Sequence, residues 1–387
     1  MIGIAVMVFK RFDRVCIVAH GYMMYDGKRR SLGGIQSYVD ALVRLLSPIC
    51  NEIIIIQPSD IGFEIEEPPN IRVVGVLGYG RPVGRYYQKY LANSCDVTIC
   101  THLPWAKWCS GSRLIGIQHG IGWDGYGSSW QGILGWFRER YYVYWELAQT
   151  RRMVRKTLPM LDKLICVDLN FPNWLRATYP TQPWEEILTY VPNFGDPISE
   201  ETLREKISRE KEQITVLIAR RFEKMRGLPL MAKIVSDIYD HWPKVRFVFA
   251  GWGSQKKQMQ DILKGKNRCE ILRLSPEEVQ AANLHADIVV IPTIWSEGTS
   301  LSCIEGMCAG AAVLATSIGG LGNLILPGYN GLLVSPTYSG LRVGLESLLG
   351  DADLRTDLAN RGYMSAKTSF SREVWNKRVM RVVLGHD

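Results

Sequence analysis

Short apolar runs recur along the whole chain, separated by stretches with helical spacing. In the first half they are Val15–Ala19, Ile53–Ile56, Ile71–Val76, Asp96–Cys100, Leu114–Ile117 and Leu164–Val167. In the second they are Ile214–Ala219, Val245–Ala250, Glu270–Leu272, Ile288–Ile291, Ala312–Ala315 and Gly331–Val334. Continuous runs of this kind, rich in Val and Ile, predict strands buried on both faces. Helices fit between them. Ile35–Leu46 would place Ile35, Val39, Leu42, Val43 and Leu46 on one face. Strand alternating with helix predicts parallel, doubly wound α/β sheets. The pattern restarts near Ile214, after the turn-rich stretch Val191–Asp196 and a charged helix expected over Glu200–Lys211. A last helix is expected over Ser371–Leu384, with Val374, Val379, Val382 and Val383 apolar.

Length agrees with two units. A chain of 387 residues is long for one domain and comfortable for two, each able to bury its own core. The stretch from Gly306 to Leu341 carries no charge, but eight glycines, Pro327 and Pro336 interrupt it. That is strand-and-loop chemistry, not a bilayer span, which needs about 20 apolar residues. Ile2–Phe9 is apolar but short, lacks a basic segment before it and runs into Lys10 and Arg11; it reads as an extension before the first strand, with a weak membrane-touching tail as the alternative. The nine cysteines are scattered. Cys95, Cys100 and Cys109 lack zinc-ligand spacing and Cys303 and Cys308 lie in an apolar run, so reduced, buried thiols of a cytoplasmic protein are expected. The net charge of +8 suits anionic partners such as a nucleotide diphosphate or an acidic membrane surface. No basic stripe with interleaved aromatics points to nucleic acid.

The chemistry concentrates in Pro292–Gly310. A strand ends at Ile291, a glycine-containing turn follows, and a helix is expected to begin near Ser300. Backbone N–H groups at such a helix start hold a phosphate. Glu297, just before the helix, can accept hydrogen bonds from a polyol; Glu305, inside it, can take a second diol such as a ribose. Alone, the pair would read as a capped helix with an exposed glutamate. Arg221 and Arg226 flank a turn at the carboxyl end of the first strand of the second half, where open α/β sheets bind ligands. Two fixed cations there would neutralise a diphosphate leaving group. Gly33-Gly34, just before the first long helix, let N–H groups approach a phosphate closely. The plain alternatives are a solvated basic turn and a tight turn.

In this order and spacing the motifs resemble family 4 of the retaining glycosyltransferases, with GT-B architecture, of the bacterial envelope-polysaccharide type. The resemblance runs over nearly the whole chain from Arg14. It is carried by Gly33-Gly34, His119-Gly120, Pro192–Asp196, Arg221–Gly227, Gly251-Trp252-Gly253, the Glu297–Glu305 motif, Gly319-Gly320 and Gly331–Pro336. It implies two Rossmann-like domains facing across a cleft: residues 1–196 on the acceptor side, 197–370 for the nucleotide sugar, and 371–387 crossing back as a helix. It implies catalytic roles for His119, Glu297, Arg221 and Arg226. Donor binding would fall to Gly33, Gly34, Gly298, Thr299, Ser300, Leu301, Glu305 and Asn323, and Asp124 is an acceptor-side candidate. Three positions depart from the pattern: Arg226 where lysine is usual, Gly298-Thr-Ser-Leu301 in the sugar loop, and Asn323 where an acid is common.

The expected reaction is transfer of a hexose-type sugar from a nucleotide diphosphate to a glycan or lipid-linked acceptor, with no metal and no cofactor. A nucleotide-sugar epimerase or hydrolase of the same architecture is the alternative enzyme, and a non-catalytic transferase-like partner is the third reading. Asp351-Ala-Asp353 looks like a metal-binding pair but opens a polar helix over Asp351–Arg361, where capping explains it. Trp130–Lys156 combines aromatics with Arg151, Arg152, Arg155 and Lys156. It fits an amphipathic helix on the inner face of an anionic membrane, and equally a helix packed on the first domain as core or acceptor wall.

Overall fold

The computed structural model describes residues 12–31, 33–111, 113–121, 133–209 and 212–385. The expectations for Ile2–Phe9, Asp124, Trp130 and Lys211 lie outside the described residues.

Two sheets form where the two series of apolar runs fall. The first contains β1 (Phe12–Val18), β2 (Cys50–Ser59), β3 (Phe63–Glu67), β4 (Ile71–Leu77), β5 (Val97–Cys100), β6 (Arg113–Gln118), β7 (Lys163–Cys166) and β8 (Leu188–Tyr190). Their spatial order is β3-β4-β2-β1-β5-β6-β7-β8. The second contains β9 (Ile214–Ala219), β10 (Val245–Ala250), β11 (Cys269–Leu272), β12 (Ile288–Ile291), β13 (Ala312–Thr316) and β14 (Leu332–Val334), in the order β11-β10-β9-β12-β13-β14. Central strands are buried on both faces, as the unbroken apolar runs require. In β1, Val15 and Ile17 join one core while Cys16 and Val18 join the core on the opposite face. The second sheet divides in the same way: Val216 and Ile218 of β9 face one core, Leu217 and Ala219 the other.

Three expectations are corrected. The first sheet is not wholly parallel, because β3 pairs antiparallel with β4. Its Phe-Glu-Ile-Glu-Glu sequence alternates between half-buried and exposed, as an edge hairpin does and a central parallel strand does not. Ile35 is 38% exposed, because helix Gly34–Leu46 buries Tyr38 in its place, with Val39, Leu42, Val43 and Leu46. The helix expected over Glu200–Lys211 ends at Ser208.

The closing helix Arg372–Leu384 returns to the first sheet, where Trp375, Val379, Val382 and Val383 enter the same core as Val15 and Ile17. Arg113 fastens its end by donating to the carbonyls of Val382 and Val383 at 2.8 and 2.9 Å. The chain therefore crosses between the sheets twice, and the crossings are tied together. Gly195 N–H donates to the Phe370 carbonyl and Arg372 N–H to the Gly195 carbonyl, both at 2.9 Å, and Arg372 forks onto Asp196. Among the described residues no helix is long and apolar enough to cross a membrane, and all nine cysteines are free, eight of them buried.

Candidate active site in the cleft

β9 and β12 lie side by side, so their carboxyl ends bring Ala219–Gly227 against Pro292–Leu301. Gly227 (φ +70°) makes this close fit possible, since a Cβ there would collide with the Pro292 carbonyl oxygen. Glu297 lies at the centre, its side chain only 9% exposed. Its Oε2 accepts from both Arg220 and Arg226, and from Thr293 Oγ1 at 3.0 Å. Arg220 is equally buried and also donates to Ser300 Oγ at 2.7 Å and Thr293 Oγ1 at 3.2 Å. Arg226 keeps 27% of its side chain exposed. Desolvation pulls it below its ordinary range, and the Glu297 charge opposes that pull. Two guanidinium groups against one carboxylate leave a net positive charge beside the start of helix Leu301–Cys308, whose N-cap is Ser300.

Arg221 points differently from its neighbour. Its guanidinium lies 5.3 Å from the Trp252 ring, and Nη2 comes within 2.9 Å of where a Cβ on Gly33 would stand. A Cβ on Gly34 would stand 3.4 Å from Leu301 Cδ1. The Gly33-Gly34 turn of the first half thus faces both Arg221 and the helix start of the second. Glu305, one turn into that helix, is half-buried, and desolvation raises its carboxyl pKa although Arg220 opposes the rise. It lines a cavity of about 640 Å³ that also touches Leu301, Phe194, Ser37 and Arg44.

His119 follows β6 directly, with its ring edge-on to Tyr38 at 5.1 Å. Burial pushes its pKa down to about 4, so it is neutral at pH 7, and its Nε2 has no hydrogen-bond partner among the described residues. Its carbonyl oxygen lies 2.9 Å from where a Cβ on Gly298 would stand, so the two halves touch here. Further bonds join them. Ser296 Oγ donates to the Ile121 carbonyl at 2.6 Å. Thr299 Oγ1 donates to the Val167 carbonyl at 2.8 Å and accepts from Asn193 N–H at 3.0 Å. Asn323 Oδ1 accepts from Leu169 N–H at 3.0 Å. Asp351 Oδ1 caps its helix by accepting from Leu354 N–H at 2.8 Å.

Arg220 and Thr293 did not stand out in the sequence. Arg220 adjoins Arg221, and nothing in a single sequence says which of the two turns inward. A second group was also missed. His20 follows β1 and His102 follows β5, adjacent strands, so the fold brings their rings to 5.3 Å although they are 82 positions apart, 102 less 20. Trp105 stacks on His20 at 5.8 Å, and the half-exposed Tyr79 hydrogen-bonds His20 Nε2 at 2.6 Å. The usable signal was that each histidine ends a buried strand, where this fold places ligands.

Residues 199–364 match the family model described as Glycosyl transferases group 1. An uncharacterized glycosyltransferase of Methanocaldococcus jannaschii is 28% identical over 225 residues, 57% of this chain and 58% of that protein, so the alignment spans little more than half of the relative. Among solved structures, sucrose-phosphate synthase of Thermosynechococcus elongatus superposes with a TM-score of 0.75 at 16% identity, covering 96% of this chain and 98% of that one. HepE of Anabaena, solved in complex with UDP-glucose, superposes with a TM-score of 0.70 at 14% identity, covering 96% and 99%. The fold is GT-B, and the second half is similar to the glycosyl transferases of group 1 over residues 199–364.

Proposed function

We propose that this protein is a retaining, metal-independent hexosyltransferase of family 4, drawing on a nucleotide diphosphate sugar and building a polysaccharide of the cell envelope. The observation that carries the reading is the Arg220–Glu297–Arg226 cluster at the start of helix Leu301–Cys308, on the same side of the cleft as Arg221 and Leu301, which face Gly33-Gly34 of the first half. Glu297, fixed on one oxygen by two arginines, turns its other oxygen to the sugar hydroxyls. Arg221, the outward part of Arg226 and the amides of Gly298–Leu301 hold the diphosphate, and Glu305 takes the ribose. UDP suits the nucleotide, since HepE was solved with UDP-glucose.

As the anomeric carbon–oxygen bond to the diphosphate breaks, positive charge at Arg221 and Arg226 stabilises the leaving group. The acceptor hydroxyl forms its new bond from the same face, and its proton passes to the departing phosphate oxygen. Neutral His119 hydrogen-bonds a hydroxyl in this reading and carries no charge, which its Nε2, unpartnered among the described residues, supports. The acceptor lies on the first-half side, along His20, Tyr79 and His102. It is a glycan or lipid-linked glycan reached from the cytoplasmic face of an anionic membrane, with the exposed Tyr141, Tyr144 and Trp145 of helix Ile133–Lys156 towards the lipid.

A thermal-shift screen of nucleoside diphosphates and their sugars tests the donor. Arg221→Ala should then lower kcat/KM at least about 100-fold, roughly 3 kcal/mol of transition-state stabilisation. Activity within about threefold of the unaltered protein would overturn the assignment, and rapid donor turnover without acceptor would favour a hydrolase or epimerase.

A further inference from the structure

The first half carries a second cationic site built from residues the cleft does not use. A pocket of about 470 Å³ lies between the end of helix Ile133–Lys156, the turn Leu103–Trp108 and the start of helix Arg81–Tyr90. Arg81, Lys107, Arg152 and Lys156 line it, and among the described residues no carboxylate does. None of the four forms an ion pair with a described residue, whereas Arg14, Arg72, Arg246 and Arg372 each have a carboxylate partner. The charges feel one another: Arg152 and Arg81 add to burial in pulling the Lys107 ammonium below its ordinary range. The stripe continues into an adjoining groove, which shares Arg81 and Trp108 and adds Arg85 and Lys89.

Clustered like charge alone would read as a solvated basic surface. Thr157 argues otherwise. It lines the same pocket, is fully buried, and its hydroxyl has no hydrogen-bond partner among the described residues. A buried hydroxyl is ordinarily paired, and an anionic oxygen is a strong acceptor for it. Convergent cations with an idle buried donor and no competing acid match the surface of a phosphate group, which offers several acceptor oxygens to more than one guanidinium or ammonium.

We propose that this pocket binds a phosphate monoester or diester at a site separate from the cleft. The phosphate belongs either to an anionic lipid headgroup or to a soluble phosphate ester. The proposal stands on the pocket and does not depend on the reading of the cleft as a transferase site.

The test uses the full chain in an Arg221→Ala background, which weakens the cleft's own pull on phosphate. Calorimetric titration at low salt with glycerol phosphate should show binding that weakens about 100-fold in Arg152→Ala/Lys156→Ala, each of the two lost charge-assisted bonds counting for about tenfold. Thr157→Val keeps the shape and should weaken binding about tenfold, since its hydroxyl would donate to an anionic oxygen. Both replaced cations are exposed, so folding should be untouched, which a thermal melt checks. Co-flotation with phosphatidylcholine vesicles containing phosphatidylglycerol, absent with phosphatidylcholine alone and lost in the double variant, assigns the phosphate to a lipid. Binding of the soluble ester without flotation assigns a soluble ligand. Failure of both probes to bind, or affinity unchanged in the double variant, overturns the proposal.

Discussion

Arg220 and Arg226 hold the same carboxylate oxygen, yet replacing each with alanine should have opposite signatures. Arg220→Ala removes a side chain only 7% exposed, together with its ion pair to Glu297 and its bonds to Ser300 and Thr293. Breaking a buried ion pair from one side costs about 3–5 kcal/mol, because the remaining charge stays buried. Glu297 keeps Arg226 and Thr293, so the lower end applies, about 3 kcal/mol. For a unit of this size each kcal/mol moves Tm by about 2–4 °C, giving a fall of about 6–12 °C. Arg226 is more exposed and has one ion pair, so Arg226→Ala should cost about 1 kcal/mol, or about 2–4 °C. On the proposed reading Arg226 faces the leaving group, so the variant's activity should fall about 100-fold. Differential scanning calorimetry gives the first quantity and initial rates at saturating acceptor the second. An Arg220→Ala protein melting within about 2 °C of the unaltered one would refute the account of Glu297 as a buried, arginine-clamped carboxylate.

Three further outcomes follow from the same geometry. Gly319 (φ +53°) lies so close to Glu297 that a Cβ would collide with its carbonyl oxygen, so Gly319→Ala should displace the loop and abolish most activity; near-normal rates would show that the loop tolerates the shift. His119 titrates near pH 4 in the folded state and near 6.5 unfolded. The unfolded chain therefore binds the extra proton first, so this contribution to stability is complete above about pH 6.5 and is lost as pH falls towards 4, at up to about 1.4 kcal/mol per unit. An NMR titration of its ring with a midpoint near 6.5 would contradict the burial. Activity should survive EDTA, the arginines and helix amides supplying the positive charge; loss on chelation, restored by Mg²⁺, would return Asp351 and Asp353 to consideration as ligands.

The fold was legible where burial alone decides structure. Strands such as Ile214–Ala219 and Ile288–Ile291 appear with the bounds their apolar runs suggested, because a strand covered on both faces is filled mostly by apolar residues. β3 and β8 escaped notice for the complementary reason. Phe63–Glu67 and Leu188–Tyr190 sit at the two edges of their sheet, where half-exposure leaves room for glutamate, threonine and tyrosine and dilutes the apolar signal. Ile35 failed as a core residue because position on a helical face does not say where the core stops. The first turn of that helix belongs to the cleft, and Tyr38 fills the interior a turn later.

The site was legible as a set of motifs but not as a set of partners, and the difference is physical. Motif spacing follows from local geometry: a strand end, a glycine turn and a helix start stay together in the chain. Partnership is decided between elements far apart in sequence. Arg220 reaches across 77 positions to Glu297, and Thr299 across 132 to the Val167 carbonyl. Neither reach leaves a mark on local periodicity. Thr299 and Asn323 illustrate the consequence. Both were expected at the donor, and both use a side-chain oxygen to bond backbone of the first half, at Val167 and Leu169. These bonds, with those of Asn193 and Ser296, run from the Ser296–Thr299 loop and the Gly319–Asn323 turn to the segments that follow β6, β7 and β8. Any movement that opens the cleft there must break them, and the Gly298–Leu301 amides and Glu297 lie on the same loop. The contacts between the two halves and the groups around Glu297 therefore share one loop, so the residues that join the halves are not separated in space from those that would hold the donor.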